Sequence, residues 1–109
     1  MINNKKYTCE FNRNASLWEN DERYNWMALK LAERNFNDLL KFRGYVFLRD
    51  IYETFNYPIT KESIYVGWFY DLGNPKAHNR IDFTVNKDAS NEEKIVLIFE
   101  VDGDISHCF

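Results

Sequence analysis

Glycine and proline are scarce in this chain of 109 residues, which has four glycines and two prolines. A phosphate-binding loop needs several closely spaced glycines, whereas each glycine here stands alone at a position typical of a turn, a helix end or a strand. Internal repeats, linkers and low-complexity tracts are also missing. The length fits one domain. The sequence therefore predicts a single compact domain without a glycine-rich nucleotide site.

Cysteine and histidine are equally rare, with two of each. Cys9 and Cys108 lie near opposite ends of the chain, and no export signal is evident, so the main interpretation is two free thiols in a reducing compartment. A bridge between them would need adjacent termini and an oxidising setting. His78 and His107 do not have the spacing of a zinc site with each other or with a cysteine. We therefore expect no metal and no cofactor.

Long apolar runs and concentrated positive charge are missing as well. The longest apolar run covers residues 95–99, far too few to span a bilayer. The first ten residues carry charge but lack the apolar stretch of a signal peptide. The net charge is −3, and lysine and arginine are scattered, without the basic footprint of a nucleic-acid-binding protein. We expect no membrane association and no nucleic-acid partner.

Aromatic residues are abundant, at 17% of the chain. Nine of them fall within residues 43–70. Large rings bury about 150–250 Å² each and dominate the energetics of cores and interfaces. This segment is therefore expected to determine the fold and to be the place where a partner docks.

Two amphipathic helices are predicted. The first begins with a capping box at Ser16–Glu19, or at Asn20, and ends at Gly44, which supplies a left-handed stop. The second covers residues 48–55 and ends before Pro58. The side chains of the first helix that we expect to face the core are Tyr24, Ala28, Leu31, Ala32, Phe36, Leu39, Leu40 and Phe42.

Strands are predicted at residues 64–70, 81–85 and 95–101, followed by a turn at residues 102–104. Gly67 inside the first of them indicates a bulge or a close backbone approach. The 81–85 segment alternates cleanly, and the 95–101 segment is apolar on both faces, which places it centrally. The predicted fold class is α+β, with one long and one short helix packed on a small antiparallel sheet of three to four strands.

The predicted organisation is an N-terminal arm over residues 1–15, loose or strand-like, and a single α+β domain over residues 16–109. The arm is polar and rich in asparagine, with Tyr7 and Phe11 as its anchors.

Several short motifs occur in a fixed order between residues 25 and 105. They are Arg43-Gly44-Tyr45, Leu48-x-x-x-Tyr52-x-x-Phe55, Pro58-Ile59-Thr60, Val66-Gly67-Trp68 with Tyr70-Asp71, Ile81-Asp82-Phe83 and Val101-Asp102-Gly103. This layout resembles a group of uncharacterised proteins from phages and prophages of Gram-positive bacteria. Two departures are Ile98, where the group usually carries an acidic residue, and residues 76–80, which replace a Gly-Asp-containing loop.

The resemblance implies a phage setting, often near tail-assembly genes, with the protein in the host bacterial cytoplasm or in the virion. It implies no known reaction.

The best candidate for catalytic chemistry is a group of three acids. Asp82 lies on one predicted strand, and Glu100 and Asp102 lie at the end of another. Carboxylates that converge from neighbouring strands could hold Mg²⁺ or Mn²⁺ in a hydrolase. The main interpretation is nevertheless three solvated carboxylates, with Asp102-Gly103 as ordinary turn chemistry. We therefore expect no enzyme activity.

The candidate partner-binding residues are aromatic: Trp26, Tyr65, Trp68 and Tyr70. Trp26 falls at the edge of the helical apolar arc, where it either contacts the N-terminal arm or faces a partner. The rings near Trp68 either pack in the core or bind a partner, with protein favoured over nucleic acid. Three functions follow as hypotheses: a phage-encoded, non-enzymatic accessory protein that binds another protein in the tail module or virion; an inhibitor of a bacterial defence system of the anti-CRISPR type; and the metal-dependent hydrolase.

Overall fold

The structure, a computed structural model, describes residues 6–106. Its elements in chain order are β1 (Lys6–Asn12), α1 (Glu22–Arg43), β2 (Tyr45–Phe47), α2 (Leu48–Thr54), a 3₁₀ turn (Glu62–Ile64), β3 (Val66–Phe69), β4 (Thr84–Val85), β5 (Lys94–Glu100) and β6 (Gly103–Asp104). The α+β class with one long and one short helix is confirmed in this part of the chain. The strands, however, form two antiparallel sheets of three strands and not one sheet.

The first sheet has the order β1-β5-β4. β1 pairs with β5 along its whole length, from Lys6 opposite Glu100 to Asn12 opposite Lys94. The central position predicted for residues 95–101 is therefore confirmed. Within the described residues, the segment interpreted as an N-terminal arm is a strand of this sheet.

The second sheet has the order β2-β3-β6. Gly67 in β3 lies directly against β2, because a Cβ built on it would stand 2.1 Å from the carbonyl oxygen of Val46. The close backbone approach predicted from this glycine is confirmed. The turn predicted at residues 102–104 is wrong in part, since Gly103 and Asp104 pair with β3 as β6.

The core lies between the helices and the sheets and is rich in aromatic rings. The half-buried Phe83 packs against it, with ring centroids 6.3, 6.0 and 5.4 Å from those of Phe36, Phe55 and Phe99. Cys9 is also fully buried, and burial raises the pKa of its thiol to about 12. The two alternatives predicted for Cys9 were a free thiol and a bridge to Cys108. Cys108 lies outside the described residues.

Helix α1 begins later than the capping box predicted. Its N-cap is Asp21, whose side chain accepts a hydrogen bond from the Tyr24 amide at 3.2 Å. Residues 16–19 lie in the connection after β1, which is fixed to the helix by the buried Asn25: its side chain accepts from the Glu19 amide and donates to the Glu19 carbonyl, both at 2.8 Å. The predicted end is confirmed, because Gly44 has a φ of 94° and donates its N–H to the Leu40 carbonyl.

The strand predicted at residues 81–85 is reduced to β4, Thr84–Val85. The predicted alternation is present, with Ile81 buried and Asp82 exposed. The backbone of residues 81–83 forms hydrogen bonds with side chains of α1 and not with a neighbouring strand. Asn37 accepts from the Ile81 amide at 2.7 Å and donates to the Ile81 carbonyl at 2.9 Å, and Glu33 accepts from the Phe83 amide at 2.7 Å.

Candidate protein-binding surface

The Arg-Gly-Tyr motif joins α1 to α2. Asp50 accepts from the Phe47 amide at 3.0 Å and from the Arg43 guanidinium at 2.8 Å, so that it caps α2 and ties it to the end of α1. The same guanidinium lies 4.4 Å from the centroid of the Tyr45 ring, within cation–π range. The motif therefore has a structural role at the junction of the two helices.

The Val-Gly-Trp and Val-Asp-Gly motifs bind each other. The Asp102 amide donates to the Gly67 carbonyl at 2.8 Å, and the Asp102 carboxylate accepts from the Phe69 amide at 3.0 Å. The Trp68 ring nitrogen donates to the Glu100 carbonyl at 3.2 Å. The motifs that carry the family resemblance thus hold β3, β5 and β6 together.

The four candidate partner-binding rings lie in three different environments. Trp68 is 1% exposed, so its ring is in the core and is not offered on the surface. Tyr65 and Tyr70 flank β3 and are half-buried against the core. Trp26 is 37% exposed and lines a cavity of about 630 Å³ near the start of α1, together with Trp18. The structure does not bring the four rings together.

Two of the three acids of the hydrolase hypothesis, Asp82 and Glu100, line the same surface cavity, whereas Asp102 does not line it. Asp82 forms an ion pair with Arg80 at 2.9 Å, and Glu100 is exposed. Asp102 is not a solvated carboxylate, because its side chain is fully buried. Nowhere in residues 6–106 do three or more acidic, histidine or cysteine side chains form a group that could hold a metal ion.

The sequence reasoning missed the partner of Asp102, which is His78. The Asp102 carboxylate accepts from the His78 amide at 3.1 Å and lies 2.9 Å from its ring Nδ1. Desolvation raises the pKa of Asp102, while the Phe69 and His78 amides and the His78 ring act in the opposite direction. A surface cavity of about 280 Å³ lies beside His78 and is lined also by Arg80, Asp82, Thr84 and Glu100.

The largest group of exposed apolar side chains on one element lies on α1. Tyr24 is 44% exposed, Met27 71%, Leu31 55% and Phe42 91%. Helical geometry places these four on one face, since about 3.6 residues make one turn. The buried residues of α1, which face the core, are Asn25, Leu29, Ala32, Phe36 and Leu40. Tyr24, Leu31 and Phe42 were expected to face the core, and that expectation is wrong.

A groove of about 510 Å³ runs beside this face. We call it the α1 groove; it is lined by Leu17, Tyr24, Met27, Ala28, Leu31, Ala32, Asn35, Phe36, Leu39 and Thr54. Leu17 from the connection before α1 and Thr54 at the end of α2 contribute to its wall. Among residues 6–106, no charged side chain lines it. Such a surface suits an apolar partner segment, because contiguous exposed apolar patches are uncommon on monomers and often functional.

One edge of the exposed face carries a row of cations. We call Arg23, Lys30, Arg34 and Lys41 the basic row; all four are exposed. Their spacing of 7, 4 and 7 residues keeps them on one side of α1, next to Met27. None of the four forms an ion pair within residues 6–106. Asp38 is also exposed, and helical geometry places it on the exposed face itself, between Leu31 and Phe42 along the helix.

The sequence contained the signal for this surface. The apolar positions of α1 cover more than half of the helix circumference once Met27 is counted, which is wider than a helix needs to cover one core face. A helical wheel shows the width of such an arc but does not show which part of it remains uncovered.

The chain belongs to a family of unknown function, DUF6353, whose model matches residues 1–108. No curated protein and no solved structure shows significant similarity to it. Within the described part of the chain, neither helix has the length and apolar character that a bilayer crossing requires.

Proposed function

We propose that this member of the family is a phage-encoded, non-enzymatic accessory protein that acts by binding another protein through the α1 groove. The single observation that carries the proposal is the exposure of Tyr24, Met27 and Leu31 beside an uncharged groove. The phage setting rests on the resemblance of the ordered motifs. The protein would act in the host bacterial cytoplasm or as part of the virion.

The assignment of the motif residues supports a partner surface on α1. Arg43, Gly67 and Asp102 each bind other parts of the chain. Since these residues serve the fold, the exposed apolar side chains of α1 are the largest group on one element that the packing of residues 6–106 leaves uncovered. Burial of apolar area is the main driving force of most protein association.

A comparison of two matched leucine variants tests the proposal. Leu31 lies in the α1 groove, and Leu72, which is 79% exposed, lies in a loop outside α1. Tagged wild-type protein, Leu31→Asp and Leu72→Asp are used for affinity capture from phage-infected host cells, with quantitative mass spectrometry. We expect the wild type and Leu72→Asp to retain the same proteins, and Leu31→Asp to retain about tenfold less of them or even less. The reason is that binding would bury the new carboxylate at position 31 without a partner, which is costly.

Equal retention by all three proteins would contradict the proposal. The identity of the retained proteins separates the two kinds of accessory role: virion proteins indicate a tail or capsid component, and a host defence complex indicates an inhibitor of the anti-CRISPR type.

A further inference from the structure

We infer that the α1 groove accepts an amphipathic helix whose one edge is acidic. This inference rests on the proposed function, because it names the chemistry of the partner that the same surface would bind. It follows from the combination of a long groove, an apolar lining and a row of cations along one edge.

The shape of the groove fits a helix. The α1 residues that line the groove run from Tyr24 to Leu39, which are 15 residues apart. At about 1.5 Å per residue the groove follows α1 for about 22 Å, which is about four turns of α-helix. Leu17 and Thr54 stand beside α1 and make the groove concave. A helix with apolar residues at i, i+3, i+4 and i+7 inserts one ridge into such a groove.

The basic row selects the charge of the partner. Arg23, Lys30, Arg34 and Lys41 lie along the edge of the groove without an ion pair inside the described chain. Acidic residues along the facing edge of a bound helix would meet these cations. Exposed ion pairs contribute little affinity, so the apolar ridge supplies most of the binding free energy, and the charges set the orientation and the association rate.

Two other occupants fit the same face less well. In an antiparallel pairing of two copies about a two-fold axis, the two basic rows lie along the same edge of the interface and repel each other. An anionic membrane is flat, whereas Met27 and Leu31 line the wall of a groove. The partner helix is therefore the favoured occupant, and the other two become outcomes of the test.

The test is a selection from a displayed library of 18-residue helical peptides. Leucine is fixed at the apolar ridge, and the flanking positions vary between Glu, Gln and Lys. With the wild-type protein as bait we expect Glu over Lys by about tenfold or more along one edge, and a weaker preference at high salt because exposed charges are screened. A bait with Lys30→Glu and Arg34→Glu should reverse the preference to Lys.

Matched baits show that the site is the α1 groove. Lys76→Glu with Lys87→Glu changes two exposed lysines outside α1 and should leave the selected peptides unchanged. Leu31→Asp should abolish selection, whereas Leu72→Asp should not. Circular dichroism establishes that each bait is folded, which is expected because the altered side chains are exposed.

Three results would overturn the inference. The first is selection without a charge preference, or no selection at all, even if affinity capture still shows a partner that depends on Leu31; the proposed function would then stand without this helix. The second is a dimer in sedimentation velocity that Leu31→Asp dissociates, which would identify a second copy as the occupant. The third is sedimentation with phosphatidylglycerol vesicles that depends on Leu31, Lys30 and Arg34, which would identify an anionic membrane.

Discussion

At the scale of single residues, the fold depends on a few positions where only one residue type fits the local backbone geometry or hydrogen bonding. Gly67 permits β2 and β3 to meet, Asp102 satisfies amides from two segments, and Gly44 ends α1 with a positive φ. The two glycines could be assigned from the sequence, because a lone glycine in a strand usually marks a close backbone approach, and one after a helix usually ends it. The burial of Asp102 could not be predicted from the sequence, because an Asp-Gly pair is typical of a turn. The burial depends on β3, which packs against Asp102 in the folded chain.

Gly67→Ala should destabilise the protein strongly. The new Cβ would stand 2.1 Å from the Val46 carbonyl oxygen and 2.8 Å from the Cα of Phe47, both backbone atoms that cannot move without separating the strands. We expect the free energy of unfolding in urea to fall by about 3 kcal/mol.

Gly73→Ala is the matched control, because its Cβ would make an ordinary contact of 3.5 Å with the Asp71 side chain. It should change the free energy of unfolding by about 0.5 kcal/mol or less. Equal effects of the two substitutions would refute the close approach of β2 and β3.

The stability of the wild type relative to Asp102→Asn should depend on pH. Burial raises the pKa of Asp102 above 3.8 in the folded state, so the folded protein binds a proton more tightly than the unfolded chain does. The contribution of Asp102 to stability is then largest below the unfolded pKa and falls as the pH rises through the folded pKa.

Urea unfolding of both proteins between about pH 4 and 6 measures this difference. We expect the free energy of unfolding of the wild type, minus that of Asp102→Asn, to decrease with rising pH. An increase over the same range would mean that the amide hydrogen bonds and His78 outweigh burial.

At the scale of the elements, local patterns predicted the helices well and the strand pairing less well. The end of α1, the second helix and the central position of β5 follow from residues adjacent in sequence. Residues 81–83 follow from contacts across the fold, since Asn37 and Glu33 on α1 replace a neighbouring strand. Neither side chain is among those expected to face the core, and no local signal distinguishes a solvated asparagine from one that binds a distant backbone.

Asn37→Ala should therefore cost stability although it improves helix propensity. It leaves the amide and the carbonyl of Ile81 without their partner, and Ile81 is fully buried. We expect a loss of about 2 kcal/mol in the free energy of unfolding. Asn35→Ala makes the same change at an exposed position of the same helix and should be neutral or slightly stabilising. Losses of the same size at both positions would refute the role of Asn37 in holding residues 81–83.

At the scale of the whole molecule, the residue patterns predicted the α+β class but not the uncovered surface. The rings of residues 43–70 were expected to provide both core and partner surface, and the largest of them, Trp68, is in the core. The exposed apolar face lies instead on α1, which precedes that segment. The rest of the fold covers only one side of the wide apolar arc of α1. Which side remains exposed follows from the three-dimensional packing, which the sequence pattern does not show.

Site-specific photocrosslinking shows whether a partner protein contacts the exposed face of α1. A photoreactive benzoylphenylalanine is placed at position 27, 31 or 72 of the protein in phage-infected host cells. We expect a covalent adduct with the same second protein from positions 27 and 31, and none from position 72. Adducts from position 72 alone, or none from α1 while the protein is folded and abundant, would contradict the proposed contact.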